Sequence, residues 1–393
     1  MCLVLHIAHS MDALSPNQAA VPPRPGDTVL FVAVPAPLGG SNRSLATLLE
    51  AIGPTVRKVL ASPSEGDFLD LVKGRGLVDE HLPIPHGTKW RRIRAAVRIA
   101  LWVRGHRSRL LAIHANASRG LNLSSLAAIT TRVPVVVWVH DPIGTNWGRR
   151  LGPIMGRFLR NVRWAAVSDT ARQVAVRNRL CRPEDVELIP NPLNAVTVVG
   201  SGTRPRRGDP SRVVVGYLGA GRYRKGFDLL PEIARALTGQ SVELRLFTAR
   251  LSSDFADPVW AHLDQLGSDP VRSIPVTNPG KNPDVRRVYE QCDIVLVPSR
   301  DESFSMVTVE AMLNGIPVVA SDLEPIRQLL AGGDEAPAGV VFPVGDAAAA
   351  AEAIASLVSD PTKRDAMGQA GRTRAKMLDA REVASRFLKL YGV

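Results

Sequence analysis

Two acids, Glu302 and Glu310, stand eight positions apart in the stretch SRDESFSMVTVEAMLNGIPVV (299–319). An ionised carboxylate accepts hydrogen bonds at both oxygens, which suits it to the vicinal diol of a ribose or to sugar hydroxyls. The run DIVLVPSR reads as a buried strand, so Asp301 and Glu302 fall just past its carboxyl end, where open α/β sheets bind ligands. SMVTVEAMLN then reads as a helix closed by Gly315 at C′, placing Glu310 one to two turns in. The two acids thus bracket a helix N-terminus, whose free N–H groups and dipole favour an anion. A phosphate between two carboxylates is what a nucleotide-linked sugar offers. Either acid alone is explained as a solvated first-turn or surface residue; the pair within this pattern is not.

A second cluster is basic. Gly219 opens a loop, GAGRYRKG, that carries Arg222, Arg224 and Lys225. Gly219-x-Gly221 hints at a dinucleotide fingerprint, but Arg224 occupies the place of its third glycine, and three cations fit a diphosphate better than a close-packed helix start. Lys225 alone could equally be an exposed loop lysine, and His140, closing the run VPVVVWVH, could equally be a satisfied strand-end histidine. No Asp-x-Asp occurs in the chain, and Cys2, Cys181 and Cys292 lack metal-ligand spacing, so no metal site or cofactor is expected. Their wide separation and odd number fit a reducing compartment.

These residues must be positioned by something, and the grammar of the chain supplies it. Short β-branched runs alternate with glycine or proline turns and helical stretches, the pattern of parallel βαβ units. In the first half the strands are DTVLFVAVP (27–35), RLLAIHAN (109–116), VPVVVWVHD (133–141), RWAAVSD (163–169) and VELIPNP (186–192). The polar, basic stretch 200–211 interrupts, and RVVVGYLG (212–219), VELRLFTA (242–249), CDIVLVPS (292–299) and IPVVASD (316–322) resume. The expected organisation is a tail (1–26), a Rossmann-like domain (27–200), a linker (201–211), a second Rossmann-like domain (212–375) and a C-terminal helix (376–393) packing back on the first domain. The alanine-rich run after Asp346 reads as a plain helix with that aspartate as N-cap.

Charge is distributed unevenly. The net charge is +12, and residues 1–200 hold 25 Lys and Arg against 13 Asp and Glu, whereas residues 201–393 hold 24 of each. Between His81 and His140 there is no acid, and KWRRIRAAVRIALWVRGHRSR (89–109) carries eight Lys and Arg. Such a field attracts an anionic partner: a lipid surface, a phosphorylated acceptor or a nucleic acid. On this helix Trp90, Ile93, Val97, Ala100 and Leu101 share one face, with Arg91, Arg94 and Arg98 beside it. An apolar side laid against the sheet is the expected arrangement, with docking on anionic lipid as the alternative. Helix-turn-helix, zinc and aromatic-platform signatures are absent, so nucleic acid is not expected. No apolar run reaches a membrane span and the first 26 residues do not read as a signal peptide, which gives a cytoplasmic expectation, with peripheral attachment to the membrane left open.

The stretch 298–322 resembles the signature of retaining GT-B glycosyltransferases of the "glycosyl transferases group 1" kind, family 4. GYLGAGRYRKGFDLL is similar to that family's diphosphate loop, VELIPNPLN to its interdomain segment, LGGSNRSLATLL to its first glycine loop, VVVWVHD to its His-bearing strand and SLVSDPTKRDAMGQAGR to its C-terminal helices. The resemblance implies an α/β protein of GT-B architecture, two Rossmann-like doubly wound domains facing across a cleft. It implies that Glu310 binds the donor ribose, that Glu302 contacts the transferred sugar, and that the amides of Ser303, Phe304 and Ser305 cradle sugar and diphosphate. Lys225, with Arg222 or Arg224, would hold the pyrophosphate; His140 would lie near the sugar, and Gly39 and Gly40 would let the backbone approach donor and acceptor. The chain departs from the family at Ala220, where an arginine is usual, at Ser303 and Ser305, where glycines are usual, and along SIPVTNPGKNPDV (273–285).

The implied activity is metal-independent, retaining transfer of a sugar from a nucleoside diphosphate donor, UDP- or GDP-linked, to a glycan, lipid-linked or small-molecule acceptor. Two rivals stand beside it. One is a non-catalytic basic module for anionic lipid or nucleic acid on the same fold; the other is a nucleotide-sugar epimerase.

Overall fold

The computed structural model describes residues 24, 26–34, 39–140, 161–193, 211–248, 252–267, 276–277, 285–331 and 336–393. The expected tail, apart from Arg24 and Gly26, and the expected linker, apart from Ser211, lie outside the described residues. Those described fall into two compact units: residues up to Leu193 together with Leu378–Val393, and residues from Ser211 to Met377.

The first unit is built on strands β1 (Thr28–Ala33), β2 (Arg57–Ser62), β3 (Glu80–Pro83), β4 (Leu110–Asn116), β5 (Val135–Val139), β6 (Val162–Ala166) and β7 (Val186–Leu188). Between them run helices α1 (Gly40–Ile52), α2 (Asp67–Gly74), α3 (Lys89–His106), α4 (Ala117–Thr131) and α5 (Asp169–Arg177). The sheet is parallel, in the order β3-β2-β1-β4-β5-β6-β7. β1, β4 and β5 are apolar enough to be buried on both faces, as helices covering a parallel sheet require. β2 and β3 are additions to the expected strands. In β2 the apolar pattern is broken by Lys58, a cation buried in a strand, whose ammonium donates to the Gly53 carbonyl at 2.6 Å and whose pKa burial pushes down.

α3 corrects an expectation. Its buried face is Ala95, Ile99 and Val103, whereas Trp90, Ile93, Val97 and Leu101, expected against the sheet, are exposed. The helix is apolar on two opposite sides, and the smaller side chains take the packed one because α3 lies close along α4.

The second unit carries β8 (Val213–Leu218), β9 (Val242–Phe247), β10 (Val276–Thr277), β11 (Ile294–Val297), β12 (Val318–Ser321) and β13 (Gly339–Phe342). Its helices are α6 (Leu230–Ala236), α7 (Ala256–Gly267), α8 (Val285–Tyr289), α9 (Met306–Leu313), α10 (Glu324–Leu330), α11 (Ala347–Val358) and α12 (Pro361–Ala375). The sheet is again parallel, in the order β10-β9-β8-β11-β12-β13. One core gathers Tyr217, Phe227, Trp260, Leu296 and Ile354 under the helices. The alanine run forms α11, and Asp346 caps it, accepting from the Ala349 amide at 2.9 Å.

The last helix, α13 (Ala380–Tyr391), belongs to the first unit. Its face of Val383, Ala384, Phe387 and Tyr391 is buried, and Phe387 meets Trp138 edge to face with centroids 4.8 Å apart. Arg386 pairs with Glu187 at 2.8 Å, and the Leu193 amide donates to the Leu378 carbonyl at 3.0 Å.

Candidate active site

Strand order decides where a ligand can sit. In the second sheet β8 and β11 are neighbours, yet the chain leaves β8 toward β9 and leaves β11 toward β12. The loops at their carboxyl ends therefore diverge and open a crevice at this switch point. The loop after β8 holds Gly219, Arg222, Arg224 and Lys225, and the loop after β11 holds Asp301, Glu302 and Ser303.

The two loops are bolted together. Lys225 Nζ donates to Glu302 Oε1 at 2.6 Å, and Ser299 Oγ donates to the same oxygen at 2.8 Å. Beside this pair, Arg224 meets Asp301 at 3.2 Å, half-exposed. Beneath it, Arg300 makes a two-pronged bond to Asp228 at 2.7 and 2.8 Å, donates to the Tyr223 carbonyl at 2.9 Å and lies over the Tyr223 ring at 3.9 Å. Gly226 is the hinge of this arrangement. Its φ is 67°, and a Cβ there would stand 1.8 Å from the Pro298 carbonyl oxygen. Tyr217 completes the floor: its hydroxyl donates to the Ala220 carbonyl at 2.9 Å, and burial, with Asp228 and Glu302 nearby, holds its pKa well above the ordinary tyrosine range.

After Glu302 the chain turns sharply into α9. Ser305 is its N-cap at φ 71°, the left-handed region that explains why glycine is the usual residue there. Its hydroxyl lies 2.8 Å from that of Thr308, and Phe304 is buried beneath. Glu310, in the middle of α9, is buried; Tyr289 on α8 donates to its Oε2 at 2.8 Å. Gly315, at φ 63°, stops the helix as C′, its amide donating to the Met312 carbonyl.

The first sheet has its own switch point, between β1 and β4. The groups there are neutral. His140, at the end of β5, shares a hydrogen bond of 3.0 Å from Nε2 to Asn116 Oδ1, at the end of β4, and Asn116 Nδ2 donates to Asn42 Oδ1 on α1 at 3.1 Å. Burial pushes the His140 pKa down to about 3, so the imidazole is uncharged at neutral pH. Gly39 is the N-cap of α1, which begins at Gly40; a Cβ at Gly39 would meet nothing within 4 Å.

The structure therefore brings Lys225, Arg224, Glu302 and Ser303 to one crevice, with Ser305 and Glu310 on the adjoining helix. Arg222 is at the same loop but exposed. His140, Gly39 and Gly40 belong to the other unit. Arg300, Asp228 and Tyr289 join the crevice of the second unit from the structure alone, and Asn42 and Asn116 join His140 in the first. Arg300 stands inside the motif at 298–322, but only its partners, 72 and 77 positions away, reveal what it does. Among the described residues no three His, Cys, Asp or Glu gather as a metal site needs, and no helix is long and apolar enough to cross a membrane.

Comparison with known proteins bears on the family and the fold. Residues 205–374 match the family described as glycosyl transferases group 1, and residues 38–196 match glycosyltransferase family 4. A lipopolysaccharide core biosynthesis mannosyltransferase of Rhizobium leguminosarum bv. viciae is 27% identical over 72% of this chain and 76% of its own. A D-inositol 3-phosphate glycosyltransferase of Segniliparus rotundus is 32% identical over 47% of this chain and 40% of its own. Among solved structures, Anabaena HepE in complex with UDP superposes with a TM-score of 0.76 at 19% identity, covering 92% of this chain and 98% of that one. With both halves matched, each by the corresponding family, the chain belongs to the group 1, family 4 glycosyltransferases of GT-B fold.

Proposed function

We propose that this glycosyltransferase moves a sugar, with retention and without a divalent metal, from a UDP- or GDP-linked donor to a hydroxyl of a glycan, lipid-linked or small-molecule acceptor. The observation that carries the donor reading is the Lys225–Glu302 pair at the switch point, just ahead of the helix that holds the buried Glu310. Glu310 accepts from the ribose hydroxyls while Tyr289 fixes its Oε2. Lys225, with Arg222 or Arg224, takes the diphosphate, and the amides of Ser303, Phe304 and Ser305 at the α9 N-terminus add donors. Glu302 holds the hydroxyls of the transferred sugar.

In the reaction the bond from the anomeric carbon to the diphosphate oxygen breaks, and the acceptor oxygen bonds to that carbon on the same face. The acceptor proton leaves with the diphosphate. Charge grows on the departing diphosphate, where Lys225 and the loop arginines act. His140, neutral, is the hydrogen-bonding group of the first unit, and Gly39 and Gly40 leave its backbone approachable. Support for a nucleoside diphosphate donor comes from HepE complexes with UDP and UDP-glucose, and for a glycoconjugate acceptor from the lipopolysaccharide core mannosyltransferase.

The test is thermal unfolding with UDP, GDP, ADP, TDP and their common sugars, on wild type and Glu310→Ala. One nucleotide should raise the wild-type midpoint and leave the variant unmoved. A folded protein that no nucleotide stabilises removes the donor reading.

A further inference from the structure

Asn116 closes β4 and stands as the N-cap of α4, where an asparagine side chain ordinarily accepts a hydrogen bond from the first turn of the helix. Here it makes no such bond. The buried side chain turns instead into the strand ends, where Nδ2 donates to Asn42 Oδ1 at 3.1 Å and to the Ser41 carbonyl at 3.4 Å. The next residue, Ala117, holds φ at 66°, a left-handed backbone that an alanine adopts only under strain. An unused cap beside a strained residue costs the helix, so the gain lies in what the amide reaches.

The network settles which way that amide points. A backbone carbonyl can only accept, so the atom facing Ser41 is the nitrogen, and Oδ1 is the atom that faces His140. His140 Nε2 lies 3.0 Å from that oxygen. Burial leaves the imidazole uncharged at neutral pH, with one proton for two nitrogens. A proton on Nδ1 would set two lone pairs against each other across this contact, whereas a proton on Nε2 makes it a hydrogen bond. Trp138 lies against the imidazole, centroids 4.3 Å apart, and restrains the ring from turning over. Nδ1 has no hydrogen-bond partner among the described residues.

We infer that Asn116, anchored by Asn42, is a positioning residue that keeps the His140 proton on Nε2 and leaves Nδ1 as an acceptor for a hydroxyl of the sugar. The inference rests on the sugar-transfer reading and extends it to specificity. A sugar without a hydroxyl at that place leaves the acceptor unpaired, so the arrangement selects against deoxygenated sugars. The other buried histidine of the unit, His114, offers nothing of the kind, since its Nδ1 lies 2.7 Å from the Tyr391 hydroxyl and its Nε2 is enclosed without a partner.

Nitrogen NMR of the full chain with isotope-labelled histidine tests the inference, because the two tautomers give different ring signals and His140→Gln identifies the one to follow. Wild type should show His140 protonated on Nε2 and bare at Nδ1 before any ligand is added. Asn116→Ala should release the proton to a mixture of both nitrogens. With saturating UDP-glucose or GDP-mannose, one of the two should move the Nδ1 signal toward its hydrogen-bonded position. Turnover of that donor should fall about tenfold in Asn116→Ala, the worth of one hydrogen bond. A wild-type His140 protonated on Nδ1 overturns the inference without recourse to any substitution at Asn116. So does an unchanged tautomer in a folded Asn116→Ala, or an Nδ1 that responds to neither sugar. Thermal shifts with UDP and GDP, read alongside, separate the two failures: a nucleotide shift with a silent Nδ1 breaks this inference alone, and loss of both breaks the donor reading beneath it.

Discussion

The two units share a sheet topology and differ in what they place at its switch point. In the second, diverging loops carry Lys225 against Glu302, Arg224 against Asp301 and Arg300 against Asp228. In the first, the corresponding position holds Asn42, Asn116 and His140 in a neutral chain of hydrogen bonds. The same crevice is thus wired once for charge and once for uncharged polar recognition. Charged partners make the second suited to a diphosphate, whose charge rises as it departs. A neutral network can bind hydroxyls without the cost of burying an ion. Fold supplies the crevice, and the side chains at strand ends decide its chemistry.

The sharpest way to break this comparison is to remove charge from one side and polarity from the other. Lys225→Ala should lower kcat by about 10²–10³-fold, the usual loss of one preorganised charge stabiliser. It should abolish nucleotide stabilisation too, whereas Asn116→Ala should leave nucleotide stabilisation intact. Steady-state rates of nucleotide release and the thermal shift read both. If Lys225→Ala retains full turnover, the charged crevice is not where the leaving group is held.

A smaller effect separates the units by pH. Burial holds His114 and His140 near a pKa of about 3, below the ordinary value near 6.5, with His140 a lesser contribution at His114. In the unfolded chain both take a proton first as pH falls. Stability is therefore whole above about pH 6.5 and is lost progressively as pH drops from there toward about 3, by ~1.4 kcal/mol per pH unit for each histidine. Urea unfolding of wild type and His114→Gln should show a shallower slope in the variant. An unchanged slope would mean that His114 titrates alike folded and unfolded.

The smallest expected change lies at Ser305. Glycine there relieves the left-handed strain but loses the contact with Thr308, so Ser305→Gly should shift stability by less than ~1 kcal/mol in either direction. A loss of several kcal/mol in urea unfolding would show that the Ser305–Thr308 contact, more than the backbone, holds the entry to α9.

Much of this arrangement is legible in the chain itself. β-branched runs mark the strands that are buried on both faces, Gly315 and Asp346 mark helix ends, and the spacing of Glu302 and Glu310 places both about α9. β2 and β3 escape such a reading because Lys58 and Glu80–Pro83 do not look apolar. α3 misleads because apolar spacing states that a face exists and is silent on which face is covered.

What the sequence by itself determined was local: periodicity, caps, and the family to which its motifs are similar. These depend on residues a few positions apart, whose geometry is nearly fixed by backbone sterics. Only the tertiary structure decided which groups meet across 77 positions, as Lys225 and Glu302 do, that Glu310 is buried under Tyr289, and that Trp90 faces outward. Such contacts follow from strand order and helix packing, which sum many weak local preferences into one arrangement that no short stretch encodes.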